Sequence, residues 1–225
     1  CKDVGLFPQQ KLVKDFFQLL SPYRGILLYH GLGVGKTCAA IAIAEGMADN
    51  RKVIFLSKAS LEQNFVNELS FCGNDYYIKN ANKWIFVECA RGSQQCKIIS
   101  KQKGISEEII NSMGGVWLID KTSGDKNYTS LSDIEKKQID NQIFQLIHDK
   151  YHFMHYDASN LGTKLDAMMS NPFDNKLLII EEIHNLTNSM VNGGNIARSL
   201  ENRIMTAKNL RIVALSGTPL VNDIY

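Results

Sequence analysis

Two short stretches carry residue types able to act on a phosphate ester. The first is His30-Gly-Leu-Gly-Val-Gly-Lys-Thr37. Glycines at 31, 33 and 35 let the chain turn tightly and bring successive backbone N–H groups onto one anion. A helix starting directly afterwards adds the positive end of its dipole. Gly31, Gly33, Val34, Gly35, Lys36, Thr37 and Cys38 are therefore the expected nucleotide-binding set. Lys36 is placed to reach the β- and γ-phosphates, and the Thr37 hydroxyl to bind Mg²⁺. The strict GxxxxGK[ST] pattern calls for glycine where His30 stands, so the match is Gly-Lys-Thr with its context.

The second stretch is Leu177-Leu-Ile-Ile-Glu-Glu-Ile-His184. An apolar strand here delivers two carboxylates to its C-terminal end, the edge where parallel sheets bind ligands. On its own this reads as a strand ending in solvated acids; downstream of a phosphate loop it reads as a metal-and-water site. Glu181 is then expected, with Thr37, to hold Mg²⁺ through its water shell. Glu182 is expected to orient or deprotonate the attacking water. Two residues share the work because one carboxylate cannot serve a cation and keep a free basic oxygen.

These residues need a sheet edge to hold them, and strand-like and helix-like segments alternate along the chain as in a parallel sheet covered by helices. Leu12 to Leu20 recur at helical spacing and end at Ser21-Pro22. Gly25–Tyr29 is an apolar strand running into the glycine turn, and Lys36 to Met47 is an alanine-rich helix. Val53–Leu56, Trp84–Val87, Tyr151–Tyr156, Leu177–Ile180 and Arg211–Leu215 read as further strands, with helices over 60–69 and 197–207. The stretch from about 90 to 150 differs: it is polar and punctuated by glycine, and nine basic residues face eight acidic ones between Arg91 and Lys150. That balance marks a solvated helical insertion rather than a basic patch. Its clearest element is a helix opened by Ser132 with Glu135 three residues on, a capping box.

Composition excludes several classes. Lys and Arg number 25 against 23 Asp and Glu, so net charge does not announce a nucleic-acid binder. No apolar run approaches the ~18 residues of a membrane span, so no membrane partner is expected. Five cysteines without CxxC spacing argue for free thiols in a reducing compartment, not for zinc or a disulfide framework. His148, His152 and His155 straddle a helix end and a strand, so they need not converge on a metal. The chain opens on Cys1 rather than Met and reads as a piece of a longer polypeptide.

Taken together, the motifs resemble those of the superfamily 2 helicases and translocases over most of the chain. Glu181-Glu182-Ile183-His184 looks like their DExH box with Glu in the first place, and Ser216-Gly217-Thr218-Pro219-Leu220 like their third motif. Phe7-Pro8-Gln9-Gln10 resembles the upstream glutamine element, which implies that Gln10 contacts adenine. Ser57 to Leu61 with Gln63-Asn64-Phe65 looks like motif Ia, which implies that Lys58, Gln63 and Asn64 grip a nucleic-acid backbone. Within the superfamily the wording IIEEIHNL and LSGTPLVND is similar to poxvirus and giant-virus enzymes, namely the early transcription factor small subunit and nucleoside triphosphatase I.

The resemblance implies a RecA-like α/β P-loop domain binding ATP and Mg²⁺. It also implies DNA or RNA as partner, a second RecA-like domain beyond residue 225, and a viral RNA polymerase or transcription factor subunit nearby. His184 would couple nucleotide state to nucleic acid, and Ser216 with Thr218 would link hydrolysis to movement. The expected location is the host cytoplasm, with packaging in the virion. An arginine finger from the second domain is worth roughly 10³–10⁵ in rate, so these 225 residues alone are expected to hydrolyse ATP weakly. The alternatives are a viral transcription initiation or termination factor without strand separation, and a P-loop phosphotransferase.

Overall fold

The computed structural model describes residues 6–18, 21–29, 35–47, 51–122 and 124–218. In chain order the strands are β1 (Gly25–Tyr29), β2 (Val53–Ser57), β3 (Trp84–Glu88), β4 (Gly115–Ile119), β5 (Tyr151–His155), β6 (Leu177–Ile180) and β7 (Arg211–Ser216). The helices are α1 (Pro8–Phe16), α2 (Lys36–Gly46), α3 (Glu62–Cys72), α4 (Gln94–Lys103), α5 (Glu107–Met113), α6 (Asp133–Lys150), α7 (Leu161–Asp166), α8 (Ile183–Val191) and α9 (Asn195–Thr206). The chain divides into two compact units, 1–73 with 150–225, and 74–149.

The first unit is a five-stranded parallel sheet in the order β1-β7-β6-β2-β5. Every residue of β2 and β6 is buried, as continuous apolar runs covered on both faces must be. On one face Ile54, Leu56, Leu178 and Ile180 pack with Leu161, Leu165, Leu186, Leu200 and Ile204 from α7, α8 and α9. Elsewhere in this unit Phe55 of β2 stacks on Phe65 of α3 with ring centroids 3.9 Å apart, and Phe65 meets Tyr151 edge-on. Ala39 to Ala44 of α2 are all buried, so this small-residue helix lies inside the fold instead of floating on an amphipathic stripe. The parallel α/β architecture read from the sequence is thus observed, and it is that of a RecA-like domain.

The second unit begins at Asn74, earlier than the insertion read from about 90. Trp84–Val87, expected as a strand of the main sheet, instead pairs antiparallel with β4 in a separate two-stranded sheet. An apolar run of this length fits either sheet; partner choice is a long-range property. Ser132 and Glu135 form the expected capping box at the start of α6: Ser132 N–H donates to Glu135 Oε2 at 2.8 Å, and Glu135 N–H to Ser132 Oγ at 3.3 Å. Gly114, at φ 69°, ends α5 and turns the chain into β4.

Four of the expected free thiols are instead paired, Cys38 with Cys72 and Cys89 with Cys96. Sequence spacing hides the first pair because α2 and α3, 34 residues apart at these positions, come side by side only in the fold. No helix among the described residues is long and apolar enough to cross a membrane.

Candidate functional site

All five strands of the main sheet run the same way, so the chain segments that follow β1, β2, β6 and β7 leave from one edge. The glycine-rich segment follows β1 in the sequence, and Tyr29, the last residue of that strand, lies beside Ser216 at the end of β7. The acidic pair follows β6, one strand further on. At a spacing of ~4.8 Å between strands, the tips of β1 and β6 stand about 10 Å apart. Gly31, Gly33 and Val34 lie outside the described residues, as do Pro219 and Leu220.

Gly35 is the N-cap of α2 at φ 76°, the left-handed region that a side chain resists. Its carbonyl accepts Gln10 Nε2 at 2.9 Å, while Gln10 Oε1 accepts the Phe7 N–H at 2.9 Å. Gln10 is 3% exposed, so the described structure commits its amide to fixing the turn at the start of α2.

Thr37 and Glu181 line one cavity of about 350 Å³, together with Phe55, Leu61, Asn64, Phe65, Asn67 and Glu68. The two residues expected to share a cation therefore face the same space. Glu181 is largely buried, its Oε2 has no hydrogen-bond partner among the described residues, and its carboxyl is pushed up to about 7. Burial is the main cause, the neighbouring Glu182 charge adds to it, and Lys36 opposes it. A buried carboxylate oxygen without a donor, beside a hydroxyl and within the field of a lysine, is a donor set suited to a hard divalent cation.

Glu182 adopts φ 48°, ψ 56° as the N-cap of α8. The other described non-glycine residues at positive φ are both asparagines, which tolerate that region; a glutamate there marks a strained strand-to-helix turn. The turn brings Glu182 Oε2 to 3.2 Å from His184 Nδ1. That nitrogen also lies 3.0 Å from Ser216 Oγ, which in turn accepts the Thr218 N–H at 3.1 Å. His184 Nδ1 thus stands between the Glu182 carboxylate and the Ser216 hydroxyl. The residues of the acidic motif and of the third motif thus form one connected group.

The motif Ia residues separate. Asn64 faces the cavity beside Thr37 and Glu181. Lys58 is half-buried before the turn that starts α3, and Gln63 is exposed with its amide given to Asn67 at 3.0 Å. His155 pairs with Glu62 through Nε2 at 2.9 Å, and His148 stacks on Phe144. Among the described residues the only trio of metal-capable side chains is Cys38, Glu68 and Cys72. Two residues near the acidic pair escaped the sequence reading. Glu68 lines the cavity, and Tyr156 has its hydroxyl pushed up to about 12 by burial first and then by Asp157, Glu182 and Glu181, with Asn185 opposing. Tyr156 directly follows β5, and that place at the binding edge is the signal that could have found it.

No model of a known protein family matches the chain. Individual proteins do. A protein of Acanthamoeba polyphaga mimivirus named "Putative ATP-dependent RNA helicase" is 30% identical over 95% of this chain. A Frog virus 3 protein named "Putative helicase" is 24% identical over 99%, and an African swine fever virus "Termination factor NPH-I homolog" is 25% identical over 89%. These relatives bear out the resemblance drawn from the motifs. The chain spans 29%, 19% and 20% of their respective lengths.

Proposed function

We propose that this chain, a relative of viral proteins named helicases and termination-factor homologues, is the ATP-binding lobe of a nucleic-acid-dependent ATPase. ATP hydrolysis would drive translocation or remodelling on DNA or RNA during viral transcription. The observation that carries this reading is the shared cavity of Thr37 and Glu181, with Lys36 acting on the Glu181 charge.

In this reading the glycine turn and Lys36 hold the phosphates, and Thr37 and Glu181 hold Mg²⁺, which neutralises charge on the phosphoryl oxygens when bound. Glu182 takes a proton from the attacking water. His184 steadies the Glu182 carboxylate and passes its state to Ser216 and Thr218 at the end of β7. Lys58 and Gln63 contact the nucleic-acid backbone. Those contacts carry no label that separates DNA from RNA.

The test is an ATPase assay of the complete polypeptide with single-stranded DNA, duplex DNA and RNA. Lys36→Ala should lose nucleotide binding. Glu182→Gln should keep binding and lose roughly 10²-fold or more in turnover, the scale of general-base catalysis. Turnover untouched by Glu182→Gln would sink the hydrolase reading. A second reading, a transcription termination factor that moves without separating strands, is favoured by the name of the African swine fever virus relative. Duplex unwinding measured beside transcript release separates the two.

A further inference from the structure

Cys38 sits in the first turn of α2, one residue after Thr37, and Cys72 is the last residue of α3. Their Cα atoms are 5.6 Å apart, within the range that a disulfide requires, and the two are bonded. Both side chains are half-buried, open enough for a small oxidant to reach. The two helices are also walls of the candidate nucleotide cavity: α2 contributes Thr37, and α3 contributes Asn64, Phe65, Asn67 and Glu68.

Glu68 ties the cysteines to that cavity. Its Oε2 lies 3.3 Å from Cys38 Sγ, and its backbone carbonyl lies 3.3 Å from Cys72 Sγ. In the dithiol, the Cys38 S–H donates to the carboxylate and the Cys72 S–H to the carbonyl. In the disulfide both protons are gone. Glu68, a residue of the cavity wall, then keeps its negative charge without that S–H donor to spread it.

We propose that Cys38 and Cys72 are a reversible oxidation site whose disulfide exposes the Glu68 charge to the cavity and weakens nucleotide binding. The effect on nucleotide rests on the function proposed above; the modification itself does not. The oxidant is a low-molecular-weight disulfide such as oxidised glutathione. The Cys38 thiolate attacks one sulfur of the oxidant, releasing a glutathione thiolate. The Cys72 thiolate then attacks the Cys38 sulfur of the mixed disulfide and expels the second glutathione. Two cysteine thiols lose two protons and two electrons, and one disulfide becomes two thiols.

The experiment treats the chain with oxidised glutathione and then with a phosphine reductant. After alkylation of free thiols, peptides are mapped by mass spectrometry, and MgATP binding is measured by calorimetry in each state. A Cys38–Cys72 linked peptide should form and disappear reversibly. The oxidised chain should bind MgATP about threefold more weakly, the size of one partly exposed like-charge contact. Untreated, Cys72→Ser and Cys72→Ala should both bind like the reduced chain; with the oxidant they should stop at the Cys38–glutathione mixed disulfide and give no linked peptide. Glu68→Gln should still form the linked peptide but show no change in affinity. Absence of the linked peptide, or its formation with unchanged affinity in the unsubstituted chain, overturns the proposal. A linked peptide in a chain that binds no nucleotide in either state overturns the effect through failure of the functional reading, and the peptide itself tells that failure apart.

Discussion

His184 Nδ1 lies 3.0 Å from Ser216 Oγ, joining the first turn of α8 to the end of β7 across 32 residues of sequence. Ser216 is fully buried and also accepts the Thr218 N–H. Ser216→Ala removes both bonds and leaves buried groups without partners, at a cost of about 1–2 kcal/mol in stability. Urea unfolding of the two chains checks this. An unchanged midpoint would mean that the hydroxyl holds nothing together.

Gly35→Ala places a Cβ in the left-handed region and 2.4 Å from Gln10 Nε2. The backbone penalty alone is about 1 kcal/mol, and the crowding of Gln10 adds to it. Gln10→Ala frees that space, so Gly35→Ala should cost less in a Gln10→Ala background than in the unsubstituted chain. A double-mutant cycle of melting midpoints measures the coupling, and strict additivity would count against the contact.

The Glu181 carboxyl, held near 7 in the fold against the usual 4.5, makes stability depend on pH. Between those values the folded chain keeps a proton that the unfolded chain has released. The stabilisation is therefore complete below the unfolded value and is lost as pH rises toward 7. In metal-free buffer the chain should lose on the order of 2 kcal/mol from this site between pH 5 and pH 8. Glu181→Gln should lack that loss. Equal slopes for the two chains would remove the case for a buried, uncompensated carboxyl.

Gln142 is fully buried in the second unit and closes the free edge of β4 as a strand would. Its Oε1 accepts the Trp117 N–H at 3.0 Å, and its Nε2 donates to the Trp117 carbonyl at 2.8 Å. Gln142→Leu keeps the bulk and orphans both backbone groups, for about 2–4 kcal/mol. Hydrogen exchange at Trp117 should accelerate accordingly. Protection equal to that of the unsubstituted chain would contradict the edge-capping role.

Much of this protein was legible before its fold was known, because local patterns carry it. Apolar runs such as Leu177–Ile180 read as buried strands, the Ser132–Glu135 spacing opens a helix by itself, and Gly-Lys-Thr after a strand announces a turn at a helix start. Other features exist only as long-range contacts. Whether Trp84–Val87 joins the main sheet or pairs with Gly115–Ile119 depends on which partner reaches it, and nothing within the run encodes that choice. Cys38 meets Cys72 only because α2 packs on α3. Glu181 and Glu182 are adjacent and chemically alike in the sequence. The fold separates them by setting Glu181 on the cavity wall with Thr37 and turning Glu182 through a left-handed residue toward His184. Residue order fixes which groups arrive at the sheet edge; solvent exclusion and neighbouring charge, which arise only on packing, decide how Glu181 titrates, and packing decides what each group faces.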